Sequence, residues 1–333
     1  MPDLNDLHAF RRGAEWAIAA GTAVELGMIA ALEGGPLPTS EIADRLNVSP
    51  RGVQTLLGAL EELGAVSGEE SGWRLTGAGR ARLLDRESPD YEADSLLHWM
   101  RTIRRWSAEL PQTVRTGDPA TEDSPARGAK EGKDLERFMA AMANRSPGDV
   151  AAVADAVRGA APGARTLLDV GGGPGVYSRA LADRGFEVSL LDRPEVIEHV
   201  AAAYRLGTDQ RIHLLPLDFL HALPEQSYDV ILLANVTHIY GRETNHELLR
   251  QAAGRLNPGG CVAIVDFVRG VSAFAPLFAL TMLLSTDDGG TWSLPEYTGW
   301  LRDAGLERVR CANIGPDFQM ITAVRPSKER APE

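Results

Sequence analysis

Gly171, Gly173 and Gly175 follow an apolar run, residues 166–170, and precede a helix-forming stretch, residues 176–182. Glycine has no Cβ, so a ligand can lie against bare backbone at such a strand-to-helix turn, where the first helical N–H groups are also unpaired. The spacing is G-x-G-x-G, with Pro174 inside it and Val176 where a dinucleotide fingerprint sets its last glycine. Proline removes one N–H donor that a pyrophosphate needs. A sulfonium donor such as S-adenosylmethionine carries no phosphate and loses little by it, so the motif argues against a nicotinamide-dependent dehydrogenase. Residues 187–192 form a second apolar run ending in Asp192, 21 positions after Gly171, where an acid can accept both ribose hydroxyls of a nucleoside. His238 comes three residues after a further run, 229–235, on the edge of an open sheet that faces ligands. Imidazole titrates in the range useful to a general base.

These groups work only if a sheet brings their ends together. Residues 166–170, 187–192, 211–218, 229–235 and 261–268 read as strands, with 256–260 as the turn into the last of them. Residues 294–304 read as an amphipathic helix stopped at Gly305, followed by strands 307–314 and 318–325. Upstream, residues 4–32 are alanine-rich and amphipathic, and Gly34, Gly35 and Pro36 break them. Thr39 or Ser40 is expected to cap a helix over 41–46, and Ser49 with Pro50 to start another over 51–63. Strands at 65–67 and 73–76 around the turn 68–72 complete a winged-helix pattern. Its second helix carries one cation, Arg51, beside Glu61 and Glu62, too little positive charge to hold phosphates. Residues 90–114 and 135–143 read as helices and 116–134 as a surface loop, while 328–333 is a charged tail.

The series of strand ends resembles the S-adenosylmethionine-dependent class I methyltransferases, and within them the small-molecule O-methyltransferases that include plant phenolic and bacterial polyketide enzymes. The likeness runs from about Arg165 to Pro326, and the N-terminal winged helix strengthens it. It implies an α/β fold with a Rossmann-like seven-stranded methyltransferase sheet, the last strand antiparallel, and a mostly α-helical N-terminal winged-helix dimerisation domain. The implied domains are 1–85 for dimerisation, 86–158 for a helical linker and substrate-cleft roof, 159–326 for cofactor binding and catalysis, and 327–333 for the tail. By resemblance, Gly171 and Gly173 lie against the methionine end of S-adenosylmethionine, Asp192 holds the ribose, and Asp218 and Phe219 flank the adenine. Asn235 sits between cofactor and acceptor. His238 is the general base, with Asp266 in place of the first of two supporting glutamates, one carbon shorter. The second glutamate of the family follows a Gly-Gly pair, and here Thr291, Trp292 and Ser293 after Gly289 and Gly290 supply no acid. Phe138, Met139, Met142 and Trp292 are the candidate acceptor-lining residues.

A net charge of −12 disfavours nucleic acid as a partner. Cys261 and Cys311 are the whole cysteine complement, too few for a disulfide framework or a zinc site, and no metal is expected. No signal peptide or long apolar run is found, so a cytoplasmic protein without a membrane segment is expected. The expected function is methyl transfer to a small, phenolic natural-product acceptor by a homodimer. Alternatives are C- or N-methylation on the same scaffold, and a non-catalytic S-adenosylmethionine-binding regulator that uses the winged helix for DNA.

Overall fold

The computed structural model describes residues 7–119, 132–315 and 317–327, and divides the chain into two units, Met1–Arg104 and Arg105–Glu333. Residues 120–131 of the expected surface loop and the whole of the expected tail, 328–333, lie outside the described residues.

In the first unit, helix Leu7–Glu25 turns through Gly27, in the left-handed region at φ 78°, into the short helix Met28–Ala31. Met28, Ile29 and Leu32 pack with Ile42, Val53, Leu57, Leu60 and Trp73 as one core. Helix Thr39–Leu46 starts from Pro38, without a side-chain cap. The expected Thr39 or Ser40 cap is therefore corrected. The Thr39 hydroxyl instead bonds Gln54 at 2.8 Å and receives Trp73 Nε1 at 3.1 Å, a tertiary demand that outweighs capping. Ser49 does cap helix Pro50–Glu62, accepting from Gly52 N. Strands β1 (Val66–Glu69) and β2 (Gly72–Leu75) pair antiparallel as the wing, and Leu37 exchanges two backbone hydrogen bonds with Trp73.

The second unit is built on seven strands: the wing's successors in chain order are β3 (Thr166–Val170), β4 (Glu187–Asp192), β5 (Ile212–Pro216), β6 (Tyr228–Ala234), β7 (Leu256–Asp266), β8 (Glu307–Asn313) and β9 (Gln319–Val324). Their order is β5-β4-β3-β6-β7-β9-β8, with β9 antiparallel to both neighbours and the rest parallel. Successive strand residues face opposite sides, so Leu167, Val188, Leu190, Val230 and Leu232 join one core while Leu168, Val170, Leu191, Ile231 and Leu233 join the other. Helices Pro147–Ala160, Val176–Asp183 and Pro194–Ala203 cover the first face, and Arg242–Gly254 and Leu294–Asp303 the second. The chain leaves β3 toward β4 and β5, then returns to β6 on the other side. That reversal opens a crevice beyond the carboxyl ends of β3 and β6.

Of the strand boundaries that differ from expectation, two bear on the site. Residues 256–260 are no separate turn but the start of β7, whose register against β6 shifts between Tyr228 and Val230, where Pro258 and Gly259 (φ 81°) bulge the strand. β5 ends at Pro216, which leaves Asp218 in the following loop. Among the described residues no helix is long and apolar enough to cross a membrane.

Candidate active site

The glycine turn sits at the crevice because β3 ends there. Gly171, Gly173 and Gly175 have φ of 69°, 50° and 73°, the left-handed region that favours glycine. Gly171 N donates to Leu191 O at 2.8 Å and Gly173 N to Asp192 Oδ2 at 2.9 Å, so the turn is stitched to the end of β4. Asp192 Oδ1 accepts from Arg193 N at 2.8 Å. Burial pushes the Asp192 carboxyl up, and these two N–H groups oppose it. A Cβ on Gly171 would stand 2.9 Å from Val236 and 3.5 Å from the ring of Phe219, and one on Gly173 would stand 3.8 Å from Met139 Sδ. Phe219 and Met139 thus meet the turn at Gly171 and Gly173.

Phe219 is buried and meets Tyr240 edge-on, ring centroids 6.0 Å apart. Burial raises the Tyr240 phenol to about 12; Arg193 opposes this, while Asp192 and Asp218 add to it. Asp218 accepts from Leu220 N and from His221 Nδ1, both at 3.0 Å, as a turn-holding acid would. Asn235 ends β6 in the left-handed region, φ 59°, its N–H donating to Val265 O and its side chain beside the Tyr177 phenol.

His238 rides on a short 3₁₀ turn, Thr237–Ile239, just past β6, and Asp266 ends β7 next to it. His238 Nδ1 lies 2.8 Å from Asp266 Oδ1, and the His238 backbone N–H donates to Oδ2 at 3.1 Å. Asp266 is 1% exposed. Burial alone would push its carboxyl up, but His238, Thr237 and the Phe267 N–H outweigh it and hold the group below the usual range. Gly290 N pins the His238 carbonyl at 2.9 Å, and a Cβ on Gly289 would run into the carbonyls of His238 and Ile239. Gly289 thus lets two backbones close on each other.

Trp292 is buried beside Trp300, and its Nε1 donates to Thr237 O at 2.9 Å, so it braces the His238 turn through the backbone. Rings that meet His238 come instead from the segment after β7. Phe278 stands edge-on to the imidazole at 4.8 Å, Phe267 lies 4.4 Å from Phe278, and Phe318 stacks on Phe267 at 4.5 Å. On helix Gly132–Ala143, Met139 is buried, Phe138 packs against the same core, and Met142 is half-buried. Sequence reasoning missed Thr237, Tyr240, Phe267 and Phe278. The four-residue spacing of Phe274 and Phe278 on helix Ala275–Ser285 and its approach was the available signal for the aromatic wall. Among the described residues no group of three or more His, Cys, Asp or Glu could hold a metal ion.

Comparison with known proteins followed from this geometry. The O-methyltransferase domain family matches residues 126–307. The tetracenomycin polyketide synthesis 8-O-methyltransferase of Streptomyces glaucescens is 29% identical over 319 residues, covering 90% of this chain and 91% of that one. The 3-hydroxy-5-methyl-1-naphthoate 3-O-methyltransferase of Streptomyces sahachiroi is 29% identical, covering 86% and 85%. Among solved structures, human N-acetylserotonin methyltransferase in complex with SAM has the same fold, with a TM-score of 0.82 at 23% identity over 98% of this chain and 99% of that one.

Proposed function

The chain belongs to the O-methyltransferase family, and from that premise we infer that it methylates the hydroxyl of a small, flat aromatic acceptor with S-adenosylmethionine as donor. The observation that carries the reading is a convergence at one sheet edge: the glycine turn tied to Asp192, and the His238–Asp266 pair at 2.8 Å. The residues fit the cofactor, because the turn offers a cradle that a single Cβ on Gly171 would fill. When bound, S-adenosylmethionine supplies an electrophilic methyl group. Asp192 takes the ribose hydroxyls, Gly171 and Gly173 the methionine end, and Asp218 and Phe219 the adenine, with Tyr240 closing behind Phe219. Asn235 stands between cofactor and acceptor. His238 takes the acceptor proton at Nε2, and Asp266 holds the ring through Nδ1.

The acceptor lies against Phe278 and Phe267, with Phe138, Met139 and Met142 lining the cleft and Trp292 acting as the brace beneath the base. Rings prefer offset or edge contacts with other rings, so this wall suits a polycyclic phenol of the kind named for the tetracenomycin and naphthoate relatives. The enzyme works as a cytoplasmic homodimer, joined through the apolar face of helix Leu7–Glu25, with neither nucleic acid nor membrane as a partner.

Incubating purified protein with methyl-labelled S-adenosylmethionine and a panel of hydroxynaphthoates and polycyclic phenols, read by mass, tests the reading. Turnover is expected for at least one phenol. His238→Ala is expected to lose about a hundredfold or more, the low end of what a positioned base contributes, and a loss under about tenfold removes His238 as the base.

A further inference from the structure

Asp266 gathers four donors. His238 Nδ1 and the Phe267 N–H reach Oδ1 at 2.8 and 2.9 Å, and Thr237 Oγ1 and the His238 N–H reach Oδ2 at 2.6 and 3.1 Å. Thr237 Oγ1 also lies 2.7 Å from the phenol oxygen of Tyr297. The protons in this chain can be counted. An ionised carboxylate only accepts, so Thr237 gives its one O–H to Oδ2 and has only lone pairs left for Tyr297. Tyr297 must therefore donate. It is fully buried, and burial together with the Asp266 charge keeps its phenol protonated far above the ordinary range.

The chain thus runs one way, from Tyr297 to Thr237 to Asp266. Oδ1, an acceptor like any ionised carboxylate oxygen, sets the His238 proton on Nδ1 and the lone pair on Nε2 as long as the carboxylate is held turned toward the ring. The Thr237 backbone is held in place, because its carbonyl receives both Trp292 Nε1 at 2.9 Å and Asn245 Nδ2 at 2.8 Å. Asp266 is the carboxylate that reaches His238 among the described residues, and Thr291, Trp292 and Ser293 after Gly290 supply no second acid. Two hydroxyls, those of Thr237 and Tyr297, back Asp266 on the side away from the imidazole-facing Oδ1.

We propose that Thr237 and Tyr297 are positioning residues for methyl transfer: their one-way hydroxyl chain turns Asp266 so that His238 is held as the Nδ1–H tautomer, with Nε2 presented to the acceptor. This rests on His238 being the base, and it predicts more than a loss of rate.

The full-length protein labelled with ¹⁵N-histidine reports the His238 tautomer directly by long-range ¹H–¹⁵N spectra, with or without a known acceptor. Methyl transfer to the hydroxynaphthoate panel is measured beside it. Wild type is expected to show Nδ1–H. Thr237→Val is expected to bring up the Nε2–H form and to lower kcat about tenfold or more, with KM for S-adenosylmethionine within about twofold, since a base in the wrong tautomer is a catalytic defect rather than a binding one. Thr237→Ser restores the hydroxyl and is expected to return both readouts to within about threefold of wild type, within the range a positioned base controls. Tyr297→Phe keeps the buried ring, guards against a folding defect, and is expected to fall between the two. An unchanged tautomer in Thr237→Val, or a serine variant no better than the valine one, overturns the positioning role with the base assignment intact. Retained turnover in His238→Ala overturns the base assignment while the tautomer spectra still report on Thr237.

Discussion

Asp169 lies on β3, one residue before the strand's end, with its carboxylate sealed from water and Ser178 Oγ donating to it at 2.6 Å. Burial raises its carboxyl to about 6; the Ser178 hydrogen bond opposes this, and the charge of Asp192 adds to it. An unfolded aspartate ionises near 3.9. Below about pH 4 both states hold the proton and the folded state bears no penalty. Between about pH 4 and 6 the unfolded chain has released its proton while the folded one keeps it, so stability falls as pH rises. By neutral pH the loss reaches roughly 3 kcal/mol on this account. Asp169→Asn stays neutral and can still accept from Ser178. Its melting temperature, followed by calorimetry without cofactor, is expected to be flatter than wild type between pH 5 and 7. Parallel slopes for the two proteins would show that Asp169 does not carry the dependence. The protein tolerates this cost at the one place where a short polar side chain can tie the first turn of helix Val176–Asp183 to the strand before the glycines.

The turn itself is the element whose geometry has least freedom. Gly171→Ala must accept a left-handed backbone, which costs about 1–3 kcal/mol for a residue with a Cβ, and must push Val236 Cγ2 from 2.9 Å. A lower melting temperature and at least about tenfold weaker S-adenosylmethionine binding in calorimetry are expected, the latter because tenfold corresponds to only 1.4 kcal/mol; unchanged affinity would place the cofactor elsewhere. That turn was legible in the sequence because everything it needs is local: apolar β3, three glycines, then a helix. The ends of β4 and β6 were legible for the same reason. What stayed hidden depends on partners far along the chain. Thr39 looks like a cap until Trp73 claims its hydroxyl, and Trp292 looks like a cleft residue until the Thr237 carbonyl claims its indole N–H. The aromatic wall needs Phe267, Phe278 and Phe318, which three different elements deliver, and a linear pattern does not show their meeting. The bulge in β7 hid for a different reason: Pro258 with Gly259 reads as a turn wherever no partner strand is known to flank it.

At the scale of the molecule, the first unit leaves apolar side chains in water. Leu7, Phe10 and Ile18 are 60%, 44% and 44% exposed, and their spacing puts them on one face of helix Leu7–Glu25. A second copy of the chain is the occupant our functional reading assigns to that face. Light scattering is expected to give twice the chain mass, and the double variant Phe10→Glu, Ile18→Glu is expected to shift it toward one, with a monomeric wild type as the contrary result. The order of strands in the second unit has a further effect, on how the chain is made. β9 comes last along the polypeptide yet stands inside the sheet, between β7 and β8. Until the ribosome has released it, β7 presents a naked apolar border with its peptide groups unclaimed, the kind of surface on which nascent chains stick to one another. Translation must pass β9 before that border is covered, so a premature stop after β8 would remove an interior plank and leave a sticky remnant.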